Sequence, residues 1–216
     1  RIYRLLKQEI FDFQLLPGDR FSENDIAVRM AASRTPVRQA LYALEQEGYV
    51  EVQPRSGWQI KAVDFDHLES LYDLRIVLVL EAVKRLCMLP AEVRPLPLQA
   101  LKQFWIDAPQ LADGAEVASH DEVFHMTLVE ATGNPEMARV HREITEKIRI
   151  VRRLDFTKRP RVSATYLEHG QILLAILNRQ LQEAQTCLHD HIAASQKEVR
   201  QITLHMLHQA KHGVIR

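Results

Sequence analysis

The chain has 216 residues, 46% hydrophobic and 26% charged, and its 28 Lys and Arg are balanced by 28 Asp and Glu. That length supports two modest domains with their own cores, and the zero net charge excludes nucleic-acid binding driven by bulk charge. The longest apolar run, Ile76 to Leu80, stops at Glu81, far short of the roughly 20 residues that span a bilayer, and no signal peptide is visible.

Ile2, Leu5, Leu6, Ile10 and Phe13 recur at helical spacing and predict a first helix, closed by the turn LLPGD at 15–19. SENDIAVRM (22–30) predicts a short second helix capped by Ser22, and the turn AAS leads into SRTPVRQAL (33–41). There Ser33 is a favourable N-cap, Pro36 is tolerated only in a first turn, and Ala40, Leu41 and Leu44 continue at helical spacing, so a third helix starts near Arg34 or Thr35. Free backbone N–H groups, the Ser33 and Thr35 hydroxyls and the Arg34 and Arg38 guanidiniums gather at its front, an arrangement suited to an anion. The same residues also describe an ordinary capped helix with two solvated arginines. YVEVQP (49–54) and WQIKAV (58–63) alternate as two strands joined by RSG, a hairpin wing beside a helix-turn-helix. Over residues 1 to 62, nine Lys and Arg face eight Asp and Glu, so any DNA affinity depends on the placement of charge.

The run from LLPGD through SRTPVR to EGYV and RSGWQI resembles the N-terminal domain of the GntR family of bacterial transcription regulators. The resemblance implies that Arg34 and Arg38 contact bases or phosphates of double-stranded operator DNA, that Ser33 and Thr35 contact phosphates, and that Arg55 and Gly57 belong to the wing contact. Asn24 stands where many members carry a basic residue. The first residue already lies in a helical pattern without a start methionine, which predicts a missing N-terminal arm.

After Val63 the texture becomes apolar-periodic. Helices are expected over 65–87, 97–112, 116–132, 135–156, 161–178 and 181–211, with Asn134 and Pro135 as an N-cap and first-turn proline. The expected fold is therefore mainly α, with a winged helix-turn-helix at 1–63 and an all-α bundle at 64–216. Cys87 and Cys187 lie in helical patterns without metal-ligand spacing and are expected to be reduced, in the cytoplasm.

In SHDEVFH (119–125), Asp121 and His125 stand four apart on one helix face, a spacing that suits either a shared cation or a simple surface ion pair. His169 and His191 sit among core-facing residues, where an imidazole needs a partner. DEVFHMTLVEATGN, EHGQILLAIL and EAQTCLHDHIAAS resemble the landmark segments of the ligand-binding domain in the FadR branch of GntR regulators. That resemblance implies a divalent metal held by Asp121, His125, His169 and His191. One carboxylate and three neutral imidazoles suit Zn, Ni, Mn or Fe, and a position left open on the ion would take a small carboxylate effector. By the same resemblance Arg75 lines the effector cavity, although the glutamate often found four residues later is Val79 here; Arg149, Arg152 and Arg153 on IRIVRRLDF are weaker candidates, since a helical arginine cluster is more often a solvated face. His120, His189, His205, His208 and His212 read as surface residues, and Phe104, Trp105 and Phe124 as core.

The reading is a metal-dependent, ligand-responsive regulator, a repressor and homodimer with no membrane partner and no enzymatic activity. Its rivals are a metal-dependent enzyme acting on a small acid, for which no partnered nucleophile or phosphate loop is found, and a metal-independent DNA binder.

Overall fold

In the computed structural model, residues 1–201 are described, apart from residues 55, 91, 92, 94, 95 and 200. Arg55 and the expected continuation of the last helix to 211, with His205, His208 and His212, lie outside the described residues. The described chain forms two compact units that meet in sequence between Asp64 and Phe65.

In the first unit, α1 (Ile2–Phe11) precedes β1 (Arg20–Phe21), α2 (Glu23–Arg29), α3 (Arg34–Gln46), β2 (Val50–Gln53) and β3 (Gly57–Ile60). The capping signals explain the boundaries. Ser22 Oγ accepts from the Asp25 backbone N–H at 3.1 Å while Asp25 accepts from Ser22 N–H at 2.8 Å, a reciprocal box that starts α2. Ser33 occupies the N-cap of α3 with extended dihedrals, but its hydroxyl makes no capping hydrogen bond. The core is the apolar stripe of α1 against that of α3, with Leu6, Ile10, Leu41 and Leu44 nearly inaccessible.

The expected two-stranded hairpin is one part of a three-stranded antiparallel sheet in the order β1-β3-β2. Arg20 pairs with Gln59 and Phe21 with Trp58, while Val50 pairs with Ile60. Gly57 makes this possible: its φ is +91°, and a Cβ there would sit 2.6 Å from the Phe21 carbonyl oxygen.

The second unit contains α4 (Phe65–Cys87), α5 (Leu96–Lys102) continued by a π-helical turn (Gln103–Asp107), α6 (Gly114–Glu130), α7 (Pro135–Asp155), α8 (Arg159–Leu177) and α9 (Leu181–Val199). The helix α4 packs on α9, α6 and α7, and α8 packs on α9. Asn134 caps α7 by accepting from Glu136 and Met137 N–H at 3.1 Å each. Helix α6 starts inside the segment expected to be a loop, because Asp113 caps it and Gly114 lets it pass the Phe156 carbonyl, which a Cβ would approach to 2.2 Å. Residues 103–107 close a π turn rather than continuing an α-helix to 112, with Trp105 buried. No helix among the described residues is long and apolar enough to cross a membrane.

Candidate nucleic-acid interface and metal centre

The front of α3 carries the residues singled out for DNA. Arg34 Nη2 donates to Asn24 Oδ1 at 3.2 Å, and Arg38 donates through Nε and Nη2 to the two oxygens of Glu23 at 2.9 and 2.8 Å. Both arginines are exposed, as are Ser33 and Thr35. Arg34 and Gly57 line one groove between the first turns of α2 and α3 and the sheet, together with Asn24, Glu23 and Trp58. Trp58 is buried and meets Tyr42 edge-on, which fixes β3 against α3.

In the helical unit, Asp121 and His125 on α6, His169 on α8 and His191 on α9 converge, each at most 2% exposed. One ligand atom from each lies within 4.8 Å of all the others. His169 Nε2 is 3.3 Å from Asp121 Oδ1, His125 Nε2 is 3.7 Å and His191 Nε2 is 3.8 Å. The Nε2 atoms of His125 and His191 are 3.1 Å apart. Burial pushes all three imidazoles below their ordinary range, well below it for His125 and His191, so each is neutral near pH 7. Burial opposes the charged form of Asp121, but the Arg152 guanidinium and the neighbouring imidazoles outweigh it and hold the carboxyl well below its usual range.

The ring orientations have identifiable causes. His191 Nδ1 lies 2.6 Å from Glu168 Oε2, and an N–H donated there leaves Nε2 as a lone pair facing the cluster. Arg161 pairs with the same Glu168 oxygen at 2.6 Å. Phe124 stacks on His169, with ring centroids 3.8 Å apart and planes 9° apart, while Trp105 meets the same imidazole edge-on. Asp121 Oδ1 is buried with no hydrogen bond among the described residues, although Oδ2 accepts from Arg152 Nη2. Converging neutral nitrogens beside an unpartnered, ionised carboxylate oxygen form a donor set that fits a divalent cation.

Among the candidate effector arginines, Arg75, Arg152 and Arg149 are placed differently. Arg75, on α4, is buried with Nε and Nη1 unpartnered among the described residues, and burial together with the nearby Arg152 pushes it down to about 10, so it stays charged at neutral pH. Arg152 is buried rather than on a solvated face, donating to Asp121 and, at 2.8 Å, to Ser195 Oγ, which lies 3.2 Å from Tyr72 OH. Arg149 is half-buried against Glu122 and Glu146, away from the four-residue group. Glu122 therefore points away from the cluster. Among the histidines read as surface residues, His189 is exposed and His120 half-buried against Phe104.

Sequence reasoning missed Glu168, Arg161 and Ser195, and it missed His141. His141 is fully buried on α7, with Nδ1 3.1 Å from Met126 Sδ and Nε2 without a partner among the described residues. Burial and the Arg75 charge push it down to about 3. Glu168 had a signal, since it adjoins His169 in sequence, but nothing local says that it serves His191.

A winged helix-turn-helix with arginines at the front of its third helix, followed by a helical unit with a buried acid and histidine group, defines a two-unit DNA-binding regulator. The family model for bacterial regulatory proteins of the gntR family matches residues 1–60, and the FCD domain model matches residues 70–194. The chain belongs to the GntR family of transcription regulators and carries an FCD domain. It is similar to an HTH-type transcriptional regulator in an unstable DNA locus of Streptomyces ambofaciens, with 30% identity over 94% of this chain and 86% of that protein. It is 29% identical to the Nta operon transcriptional regulator of Aminobacter aminovorans, over 83% of this chain and 84% of that protein. A putative GntR regulator from Rhodococcus sp. RHA1 shares the fold, with a TM-score of 0.75 at 19% identity over 94% and 97% of the two chains. These families and relatives are transcription regulators, and the enzyme reading is set aside on that ground.

Proposed function

We propose that this GntR-family protein, of the FadR branch, is a cytoplasmic repressor whose operator binding is controlled by a small carboxylate effector at a divalent metal. The observation that carries the reading is the convergence of Asp121, His125, His169 and His191 with Asp121 Oδ1 unpartnered. These four residues hold the ion, which is Zn, Ni, Mn or Fe by donor type, and which supplies a Lewis-acidic position for a carboxylate. The unpartnered N–H groups of buried Arg75 favour it as the arginine that forks onto the same effector. Arg152 fixes Asp121, and Arg149 belongs to a separate ion-pair group. On the DNA side, Arg34 and Arg38 read or grip the operator, Ser33 and Thr35 take phosphates, and Arg55 and Gly57 form the wing contact. A homodimer supplies two such surfaces to a pseudo-palindromic site.

The test is the double variant His169→Ala/His191→Ala. Elemental analysis of the purified wild type should find a stoichiometric divalent metal, which the variant lacks. The variant should stay folded and bind a duplex selected by the wild type from a randomised library. A thermal shift produced by a panel of small carboxylates on the wild type should be lost. A variant that keeps stoichiometric metal, or a metal-stripped wild type that responds to the panel normally, overturns the reading.

A further inference from the structure

Arg38 is not a free arginine. Its Nε and Nη2 atoms donate to separate oxygens of Glu23, at 2.9 and 2.8 Å, so one whole edge of the guanidinium is taken by a side-on carboxylate. The edge that remains, through Nη1, is the end that can fork onto the O6 and N7 acceptors of a guanine. Glu23 is itself held: its side chain is only 21% exposed, against 55% for Arg38, and it shares a groove with the Trp58 indole, which helps to hold its charge. Trp58 is buried in β3 and packed edge-on against Tyr42 of α3. Glu23 thus ties the first turn of α2 to α3 and to the wing sheet. An acidic side chain on a surface that meets phosphates opposes non-specific binding, so its bidentate grip on Arg38 requires a compensating role.

We propose that Glu23 is a positioning residue for operator specificity: it takes the Nε edge of Arg38 and aims the other end of the guanidinium at one base pair in each half-site. This rests on the reading that Arg38 contacts the operator. Glu23 itself touches no base. It lowers the cost of ordering a long, exposed side chain on binding, and it biases recognition toward partners that accept a fork from the Nη end. The charge of Glu23 at the same time weakens binding to any duplex, and both effects raise the ratio of specific to non-specific affinity.

The test uses the full-length protein and two probes, a duplex selected by the wild type from a randomised library and a scrambled duplex of the same composition, at one fixed salt concentration. Arg38→Ala should weaken binding to the selected duplex by about tenfold or more, and repeating the selection should show relaxed preference at one position per half-site. Glu23→Gln should bind the scrambled duplex as well as or better than the wild type, lower the ratio of the two affinities by about tenfold, and relax the same position. The double variant should be no less specific than Arg38→Ala alone. The capping box of α2 uses Ser22 and Asp25, so Glu23→Gln leaves it intact. Unchanged binding in Arg38→Ala sinks the contact itself, and the inference with it. If Arg38→Ala behaves as expected while Glu23→Gln tightens both duplexes equally and keeps the base preference, Glu23 is only an electrostatic brake and the inference is overturned.

Discussion

Arg38 in the N-terminal unit and Arg152 in the helical unit each lie against one carboxylate, yet the Arg38 side chain is 55% exposed and that of Arg152 is 4% exposed. Water competes for the first pair, which therefore contributes little to stability, and its worth lies in how it orients the Arg38 guanidinium. The second pair is sealed, so neither member can leave without stranding the other's charge in the interior. The proposed DNA-facing site is built from charges that remain available, whereas the interior site is built from charges that compensate one another and give rigid order to whatever binds beside them.

The largest effect should come from the sealed pair. Arg152→Ala removes the charge that outweighs burial at Asp121, together with one hydrogen-bond donor to Ser195. Removing one partner of such a pair costs about 3–5 kcal/mol. Denaturant unfolding in the presence of a chelator should show that loss, and adding a divalent metal should recover part of it, because the cation replaces the missing positive charge. An unchanged midpoint would mean that Asp121 is not held by Arg152.

Gly57→Ala should act on the other unit. A Cβ there meets the Phe21 carbonyl at 2.6 Å, and the φ of +91° adds strain for any L side chain. The expected cost is about 1–3 kcal/mol, read as loss of β1 pairing and weaker duplex binding, with metal content unchanged. If metal is lost as well, the two sites are not separable in the way their burial suggests.

The parts legible from sequence are those whose cause is local. Ser22 with Asp25, Asn134 with Pro135, and the proline in the first turn of α3 each fix a boundary through neighbours in the chain. Asp121 and His125 share one helix face because four residues is one turn, a spacing that suits an ion pair as well as a cation; their reading as ligands, like that of His169 and His191, comes from the family resemblance. The strand Arg20–Phe21 has no periodicity at two residues and exists because β3 offers it a partner. Arg152 reads as one of several basic residues on a polar helix until α6 brings Asp121 to it. The roles of Glu168 and His141 are hidden for the same reason: their partners, His191 on α9 and Met126 on α6, come from other helices, and no spacing encodes that.

Glu168 offers a finer test of the interior site. If its carboxylate holds His191 with Nε2 toward the cluster, Glu168→Gln should reduce metal affinity by about 10- to 100-fold in a chelator competition, without abolishing stoichiometric binding at saturating metal. An unchanged affinity would assign the orientation of His191 to packing alone, through the neighbouring His125 ring stacked on it at 5.1 Å.

The smallest effect near neutrality concerns acid. Burial and the Arg75 charge push His141 down to about 3, whereas an imidazole in the unfolded chain titrates near 6.5. Between those values the unfolded chain takes up a proton that the folded chain refuses, so stability is complete above about pH 6.5 and falls as the pH drops through the window down to about 3. The loss attributable to this one group is about 0.8 kcal/mol at pH 6 and about 2 kcal/mol at pH 5. His125, His169 and His191 are depressed in the same direction and add to it in the metal-free protein. The Glu23 carboxylate on α2 behaves differently: it is lowered by Arg38, so its contribution fades only below the ordinary carboxylate range. Chelator-treated wild type and His141→Leu, unfolded in denaturant at pH 7.5 and pH 5, should therefore differ in slope, with the variant losing less stability on acidification. Equal losses would mean that His141 opens to solvent or takes a proton in the folded state, and that the interior beside Arg75 is not sealed as its burial implies.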